Sequence, residues 1–200
     1  AVDHGARIIN YSGGGPNYSQ AEYDAIRRAG DHGILFVAAA GNDNSDIDLP
    51  ANHYYPASYG LPNVISVAAT NIDNNLLLGS DWGVNSVDLA APGQHIYSTL
   101  PGGRYGYLSG TSQATAFVSG VAALLLSKDP SLTPAQLKQL ILQSVDSVPG
   151  LKDKVRSGGK LNAYAALKAL ETLHAAPAPT VAQAGSATVV TASRSVAAAY

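Results

Sequence analysis

Two uninterrupted apolar segments constrain the fold of this chain more than any other feature of its sequence. Residues 34–40 and 64–69 are almost entirely aliphatic or small, and Gly41 follows the first segment directly. Strands of this kind are typical of a parallel sheet that is covered by helices on both faces. A strand pattern at residues 7–11 and a helical pattern at 20–29 come before them, which completes a βαβ order. The sequence therefore predicts a three-layer α/β/α fold with a mostly parallel sheet.

Three more helices are predicted downstream, and each has a different pattern. Residues 114–127 are apolar on every side, which predicts a central helix inside the protein. Thr133, Pro134 and Gln136 form a favourable helix start, and the helix that follows has a single buried stripe. That stripe consists of Leu137, Leu140 and Ile141. A last helix is expected at residues 162–173.

Composition indicates one globular domain followed by a different kind of segment. The 200 residues are 46% hydrophobic and 13% charged, enough for one sizeable core. We place the domain at residues 1–174. Residues 175–200 are rich in Ala, Pro, Ser and Thr, which predicts a linker or tail. Because the chain opens on Ala1 and ends abruptly at Tyr200, we expect it to be part of a longer precursor.

The charges and the cysteine content exclude several classes of function. Twelve basic and 14 acidic residues give a net charge of -2 without any dense block, so neither nucleic acid nor a membrane surface is an expected partner. The apolar runs at residues 34–40 and 121–126 are both far shorter than the roughly 20 residues of a membrane span. There is no cysteine, which excludes disulfides and a cysteine nucleophile.

Ser112 is the first candidate for chemistry. It lies in the segment Gly-Thr-Ser-Gln-Ala-Thr-Ala at residues 110–116, where a loop leads into the apolar helix. Free backbone N–H groups and the helix dipole at such a position stabilise an oxyanion that forms beside the hydroxyl. A serine at this point also caps helices in proteins without any activity, so the segment by itself leaves both interpretations open.

Asn42 directly follows the apolar strand in Ala-Ala-Ala-Gly-Asn and becomes the second candidate through the resemblance described next. A side-chain amide can hold a developing negative charge without transferring a proton, together with the backbone N–H of Ser112. On its own, an asparagine after a strand is more often a turn former.

Both segments resemble the corresponding segments of subtilisin-like serine peptidases. The similarity extends along residues 110–120 and 38–42, and three further stretches match in the right order, at residues 5–14, 87–93 and 159–163. It thus covers roughly residues 1–170. One departure is Ala116, at a position where the family usually has proline.

The resemblance implies roles for particular residues. Ser112 is the nucleophile that forms an acyl-enzyme with a polypeptide substrate, and Asn42 is the oxyanion-hole donor. Substrate binding is assigned to an edge that pairs with the peptide as an added strand and to a segment lining the primary specificity pocket. These residues are Ser12, Gly13, Gly14, Ala39, Ala40 and Gly41. The alanines predict an apolar pocket and a hydrophobic or aromatic P1 side chain, and the family predicts a secreted protein.

The histidine and aspartate that activate a serine nucleophile are not identified in this sequence. In the family both precede the segment with which this chain begins. None of the five histidines lies in a His-Gly-Thr-His context, and the residues after His4 match a later strand instead. The expected partner of the chain is therefore the N-terminal remainder of its own catalytic domain. The chain alone is expected to be inactive.

Two other classes of protein share some of these features. An α/β-hydrolase esterase would have Gly-x-Ser-x-Gly, and Ala114 stands at the last position of that pattern. An inert fragment or pseudo-peptidase would use the same peptide-binding edge for recognition alone. The second alternative stays open, because the sequence does not supply the complete catalytic machinery.

No cofactor is required by this chemistry. Asp43, Asp46 and Asp48 could bind a structural calcium ion through their oxygens, as family members often do. A solvated acidic loop is the simpler interpretation of the same residues, and no metal site is assigned.

Overall fold

The computed structural model describes residues 1–175. The predicted linker at 175–200 lies outside the described residues except for Ala175, which ends the last helix. A six-stranded sheet forms the centre of the molecule, in the order β1-β2-β3-β4-β8-β7. Its strands are β1 (Ile8–Tyr11), β2 (Leu35–Ala39), β3 (Val64–Thr70), β4 (Leu89–Pro92), β7 (Asp146–Ser147) and β8 (Gly159–Lys160). All neighbouring pairs are parallel except β7 and β8, which confirms the mostly parallel sheet.

Four α-helices accompany the sheet, close to their predicted positions. They are α1 (Gln20–Asp31), α2 (Thr111–Lys128), α3 (Pro134–Gln143) and α4 (Ala163–Ala175). None of these helices combines the length and the apolar character that crossing a bilayer requires.

Two helices begin with side-chain caps, and the cap of α3 was expected from the sequence. Thr133 accepts from the N–H of Gln136 while the Gln136 side chain accepts from the Thr133 N–H, which completes a capping box. Ser19 accepts from the N–H of Glu22, but the Glu22 carboxylate accepts instead from the Tyr59 hydroxyl at 2.7 Å. Burial and this hydrogen bond raise the pKa of Tyr59 to about 12. The contact attaches the start of α1 to the loop between β2 and β3.

Side chains alternate across the strands and divide the core into two layers. Leu35 and Val37 of β2 pack on the same side as α2, in a cluster that also contains residues of α3 and α4. Phe36 and Ala38 point to the opposite face and pack against Ile26 of α1. One helical layer lies on each face of the sheet, so the three-layer fold is confirmed.

Helix α2 corrects one prediction, because it is not buried on every side. Val118, Ala122 and Leu125 are buried against the sheet, but Phe117 is 43% exposed and Leu124 is 49% exposed. The face opposite the sheet is covered by no other layer among residues 1–175. The apolar pattern was correct, but the sequence could not show which neighbours would cover it.

Strand β1 is the edge of the sheet nearest to this exposed face. It pairs with β2 on one side, and α2 packs across it. Beyond β4, an antiparallel hairpin of β5 (Ile96–Leu100) and β6 (Arg104–Leu108) projects from the sheet. This hairpin was not predicted from the sequence.

Candidate active site

The loop before α2 is held against the carboxyl ends of the sheet strands. Gly110 has a φ of 150°, and its N–H donates to the Gly93 carbonyl at 2.8 Å. A Cβ on Gly93 would lie 2.5 Å from the Ala69 Cβ and 2.8 Å from the Gly110 oxygen. Only glycine at position 93 allows these segments of the chain to approach so closely. The start of α2 is thereby placed at the end of β3 and β4.

Ser112 lies in the first turn of α2 and is partly exposed. Its hydroxyl donates to the Ser12 carbonyl at 3.1 Å, and the Ser12 hydroxyl donates to the Ser112 carbonyl at 2.8 Å. The backbone N–H of Ser112 belongs to the first-turn groups for which the helix itself provides no acceptor. The structure thus brings the predicted nucleophile into contact with the predicted substrate-binding edge, although 100 residues separate them in sequence.

Asn42 is oriented by its neighbour Thr111. The Asn42 Oδ1 atom accepts from the Thr111 N–H at 2.9 Å and lies 3.2 Å from the Thr111 hydroxyl. Because an N–H group can only donate, the amide oxygen must face Thr111 and the NH₂ group must point the other way. Asn42 is exposed, so these two donors are available beside the Ser112 N–H at the start of the helix.

Thr111 belongs to the motif around Ser112, but no role was predicted for it from the sequence. Its side chain is fully buried, and its hydroxyl accepts from the Gly41 N–H at 3.3 Å and lies 3.2 Å from the Gly41 carbonyl. One threonine therefore connects the strand end at Gly41, the amide of Asn42 and the helix that carries Ser112. The only signal for it was its place beside the serine.

In the Ser12–Gly14 edge, Gly13 and Gly14 have backbone groups that no other backbone group of residues 1–175 pairs with. Gly15 pairs with Tyr55 through two hydrogen bonds of 2.9 and 2.8 Å. Among the described residues, neither Gly13 nor Gly14 forms a backbone hydrogen bond. Both follow the edge strand β1 directly, where an extended peptide could add to the sheet.

The second predicted substrate-binding segment ends strand β2. Ala39 and Ala40 are buried at 2% and 0% exposure, so their side chains belong to the core. Gly41 is packed closely, since a Cβ there would overlap the Asp81 Oδ2 atom and lie 3.1 Å from the Tyr54 Cγ atom. Neither Tyr54 nor Asp81 was identified from the sequence, because both reach this place from distant loops.

Asp81 is a buried carboxylate beside the segment that carries Asn42. It is 1% exposed, and its Oδ1 atom accepts from the N–H groups of Asp43 and Ser45 at 2.9 and 2.8 Å. Burial raises the pKa of Asp81; the two N–H groups oppose this, and the charge of Asp43 adds to it. These hydrogen bonds hold the loop directly after Asn42.

No histidine in residues 1–175 forms a hydrogen bond with the Ser112 hydroxyl. Three of the five form side-chain hydrogen bonds elsewhere in the described part of the chain: His32 with the Arg28 carbonyl, His53 with the Tyr55 hydroxyl and His174 with Asp129. The described part of the chain therefore contains the predicted nucleophile and the predicted oxyanion donors without an assembled general base.

The acidic loop at Asp43, Asp46 and Asp48 is extensively hydrogen-bonded. Asp48 accepts from the N–H groups of Asn85 and Ser86 at 2.8 Å each. Burial raises the pKa of Asp48, but these hydrogen bonds outweigh it and lower the pKa overall. Residues 1–175 contain no group of three or more carboxylates and histidines arranged for a metal ion. Calcium binding stays a prediction.

A serine at the start of the central helix, an amide group near it and a parallel α/β sheet form the arrangement that the sequence predicted for a serine hydrolase. Comparison with known proteins specifies the family. The profile of the subtilase family matches residues 1–166, and the chain belongs to this family.

Individual relatives agree with this assignment. Subtilisin amylosacchariticus from Bacillus subtilis subsp. amylosacchariticus is 44% identical over 138 residues, which are 69% of this chain and 35% of the relative. Fervidolysin from Fervidobacterium pennivorans is 37% identical over 161 residues, covering 70% of this chain and 22% of the relative.

Solved structures show the same fold. A chain from the structure of the subtilase cytotoxin SubAB assembly superimposes with a TM-score of 0.72 at 38% identity, covering 84% of this chain and 59% of that one. The self-cleaved protease domain of PatA gives a TM-score of 0.73 at 36% identity, with coverages of 86% and 64%. The chain thus spans between 22% and 64% of the length of these relatives.

Proposed function

We propose that this chain is the part of a serine endopeptidase that carries the nucleophile and the oxyanion hole. The Ser112 hydroxyl attacks the scissile carbonyl and forms an acyl-enzyme, which water then hydrolyses. The observation that carries this proposal is the orientation of Asn42. Its oxygen is held by Thr111, so its NH₂ group is available as a donor beside Ser112. A capping serine without chemistry would need no such donor.

The oxyanion would be held by two groups. In this proposal the Asn42 NH₂ and the Ser112 N–H would both donate to the oxyanion, and the hydrogen bond from the Thr111 N–H to the Asn42 amide oxygen would orient Asn42 before substrate binds. Donors that need no reorganisation during the reaction stabilise the developing charge most effectively. The peptide would pair with Gly13 and Gly14, whose backbone groups have no partner of this kind in residues 1–175.

The general base and its orienting aspartate would come from the part of the domain that precedes this chain. The groove that this remainder would fill has a volume of about 810 Å³ and is lined by Phe117 and Leu124 of α2 and by Tyr97 of the hairpin. Ser12 and Ser112 line the same groove. A segment that covers the apolar face of α2 therefore ends beside the nucleophile, where a histidine is required.

Three features support this partner over others. The exposed side chains of Phe117 and Leu124 are apolar, as expected of an unfinished core rather than of a solvated surface. Strand β1 has a free edge on the same side of the molecule. Finally, about 40% of the solved chain from the subtilase cytotoxin has no counterpart in this chain, since 59% of it is covered.

For the complete protein we propose secretion, in line with the family.

The experiment is labelling with a fluorophosphonate, which reacts with activated serines. The full-length protein is expected to be labelled at Ser112, its Ser112→Ala variant not at all, and the 200-residue chain alone very weakly. Mixing the chain with its N-terminal remainder should restore labelling. In the full-length protein, Asn42→Ala should lower kcat for a peptide substrate about 100-fold with little change in KM.

The second candidate is a peptide-binding module without catalysis. The hydrogen bond from the Ser112 hydroxyl to the Ser12 carbonyl favours it, because a serine held in this way is not activated by a base. If the folded full-length protein is not labelled and hydrolyses no peptide, yet binds peptides at the Ser12–Gly14 edge, this alternative replaces the peptidase.

A further inference from the structure

The ring of Tyr54 occupies the space between the two segments assigned to substrate binding. A Cβ on Gly14 would lie 3.0 Å from the Tyr54 Cζ atom and closer still to Cε1, and a Cβ on Gly41 would lie 3.1 Å from the Tyr54 Cγ atom. The ring therefore contacts Gly41 with its base and Gly14 with its far edge. It extends across the gap between the Ser12–Gly14 edge and the Ala39–Gly41 segment.

The backbone on both sides of Tyr54 holds the ring in this position. The Tyr54 N–H donates to the Ser58 hydroxyl at 3.1 Å, and the Tyr54 carbonyl accepts from the Ser58 N–H at 2.9 Å. The next residue, Tyr55, forms the paired bridge with Gly15. The side chain packs against a core cluster that includes Ala40 and Ala57. The hydrogen bonds fix the backbone from which the ring projects, and moving the ring aside would break its packing against this cluster.

The phenol of Tyr54 stays neutral in this environment. Burial raises its pKa, and the negative charges of Asp43 and Asp81 and the nearby Tyr11 phenol add to this effect. The floor of the gap is consequently an uncharged ring with a hydroxyl group. Asp81 offers no charge to a ligand here, because it is 1% exposed and its Oδ1 atom already accepts two N–H groups.

We propose that Tyr54 closes the primary specificity pocket to large side chains and restricts P1 to glycine, alanine and serine. This inference rests on the proposed peptidase function and concerns the substrate class of the same site. It replaces the preference for hydrophobic or aromatic P1 side chains that the alanine-rich strand end suggested. Those alanines are buried in the core, and the surface that a P1 side chain would meet is the tyrosine ring.

The test compares peptide substrates that differ only at P1, in the full-length protein. Fluorogenic peptides with Ala, Ser, Leu, Phe or Arg at P1 are assayed, and kcat/KM is divided by the fraction of enzyme labelled with fluorophosphonate. The native protein should cleave after Ala at least about 10-fold faster than after Phe. In Tyr54→Ala the Phe-to-Ala ratio should rise by at least about 10-fold. Tyr54→Phe should keep the native ratio, since the ring remains.

Tyr18→Ala is the matched control. Tyr18 packs edge-to-face against Tyr55 and Tyr59 at 5.4 Å and is 53% exposed, but it does not contact Gly14 or Gly41 in the way that Tyr54 does. Its P1 profile should equal that of the native protein. If Tyr54→Ala does not fold, Tyr54→Leu keeps more of the packing and should raise the Leu-to-Ala ratio instead.

The outcomes separate this inference from the proposed function. A labelled native protein that prefers Phe, Leu or Arg at P1, or a Tyr54→Ala variant with an unchanged ratio, overturns the role of Tyr54 and leaves the peptidase intact. A native protein that is neither labelled nor active on any of these peptides refutes the peptidase, and the inference is refuted with it.

Discussion

At the scale of single residues, the site depends on how Thr111 holds Asn42. The Thr111 hydroxyl is fully buried and contacts both the Asn42 amide oxygen and the Gly41 backbone. Replacing the threonine by valine nearly keeps the volume and removes the contacts of the hydroxyl, while the backbone N–H of residue 111 still donates to Asn42. The NH₂ group of Asn42 would then be less well oriented toward the developing oxyanion. This interaction matters more in the transition state than in the bound substrate.

Thr111→Val in the full-length protein is therefore expected to lower kcat about 10-fold and to leave KM nearly unchanged. Steady-state kinetics on a peptide substrate measure both. Thr115→Val is the control: it is also a buried threonine of α2, but its hydroxyl donates only to the Thr111 carbonyl at 2.7 Å. Equal losses of kcat in the two variants would contradict a positioning role for Thr111.

The second residue-scale prediction concerns the buried charge of Asp81. Its raised pKa means that the folded protein binds the proton more tightly than the unfolded chain does. The ionised form accordingly destabilises the fold, and stability is lost as the pH rises through the folded-state pKa. Asp81→Asn removes this charge and keeps an oxygen acceptor for Asp43 and Ser45. At pH 7 its free energy of unfolding should exceed the native value by about 1 kcal/mol.

Urea unfolding of the full-length protein at two pH values checks this sign. The gain of Asp81→Asn should be absent near pH 3, where the native carboxyl is protonated in both states. Asp48→Asn should behave in the opposite way, since the folded-state pKa of Asp48 is lowered and its stabilisation is present above the ordinary pKa. It should be less stable than the native protein at pH 7, and the difference should shrink as the pH falls. The same sign for both variants would contradict these opposite pKa shifts.

At the scale of elements, α3 is attached to the sheet by a buried ion pair. Lys138 donates to Asp88 at 2.9 Å and to the Val64 carbonyl at 2.5 Å, and Asp88 is 3% exposed. Asp88 also accepts from the Ser66 N–H at 3.0 Å, so it connects β3, β4 and α3. Removing the lysine leaves a buried carboxylate with only the more exposed Arg156 as a cationic partner, at 3.3 Å.

Lys138→Met is expected to lower the free energy of unfolding by about 3 kcal/mol, because a buried charge loses its partner. Chemical denaturation of the full-length protein measures the change. Lys168→Met provides the comparison, since Lys168 forms an exposed pair with Glu171 and should change stability by less than about 0.5 kcal/mol. If both variants were equally stable, the ion pair between Lys138 and Asp88 would contribute no more to the free energy of unfolding than the exposed pair does.

The elements themselves were predictable from the sequence to within a few residues. Strand β2 was expected at 34–40 and is Leu35–Ala39, and α3 has the predicted capping box and buried stripe. Hydrophobic periodicity and helix capping are local properties of the sequence, so they can be recognised without knowing which elements pack nearby. The hairpin β5–β6 was missed although it is local: its strands are joined by Pro101, Gly102 and Gly103, a turn sequence that could have indicated it. Helix α2 was expected to be buried on every side, because the cover of a helix face depends on partners distant in sequence.

At the scale of the whole molecule, the chain has an incomplete layer. Phe117 and Leu124 are half exposed on α2, and β1 is a free sheet edge beside them. Exposed apolar surface next to an unpaired strand favours association with another chain. The 200-residue chain alone is therefore expected to self-associate, and its stability is expected to be poor.

Leu124→Lys in the isolated chain should shift sedimentation toward the monomer, because the charge opposes burial of the α2 face. The same variant should weaken reconstitution with the N-terminal remainder at least about 10-fold. Leu78→Lys is the control, since Leu78 is 89% exposed and does not line the groove. A monomeric native chain with a cooperative thermal transition would contradict the expectation.

The sequence by itself determined the parallel α/β fold and the helix that begins beside Ser112, and its resemblance to the subtilase family predicted Ser112 and Asn42 as the centre of the site. These depend on local patterns: apolar runs, capping residues and short motifs around each candidate. The tertiary structure decided which distant residues meet them, namely Thr111 with Asn42, Asp81 with Gly41 and Tyr54 with Gly14. It also decided which face of α2 stays uncovered. Such contacts depend on how loops far apart in sequence pack against one another, which no local pattern specifies.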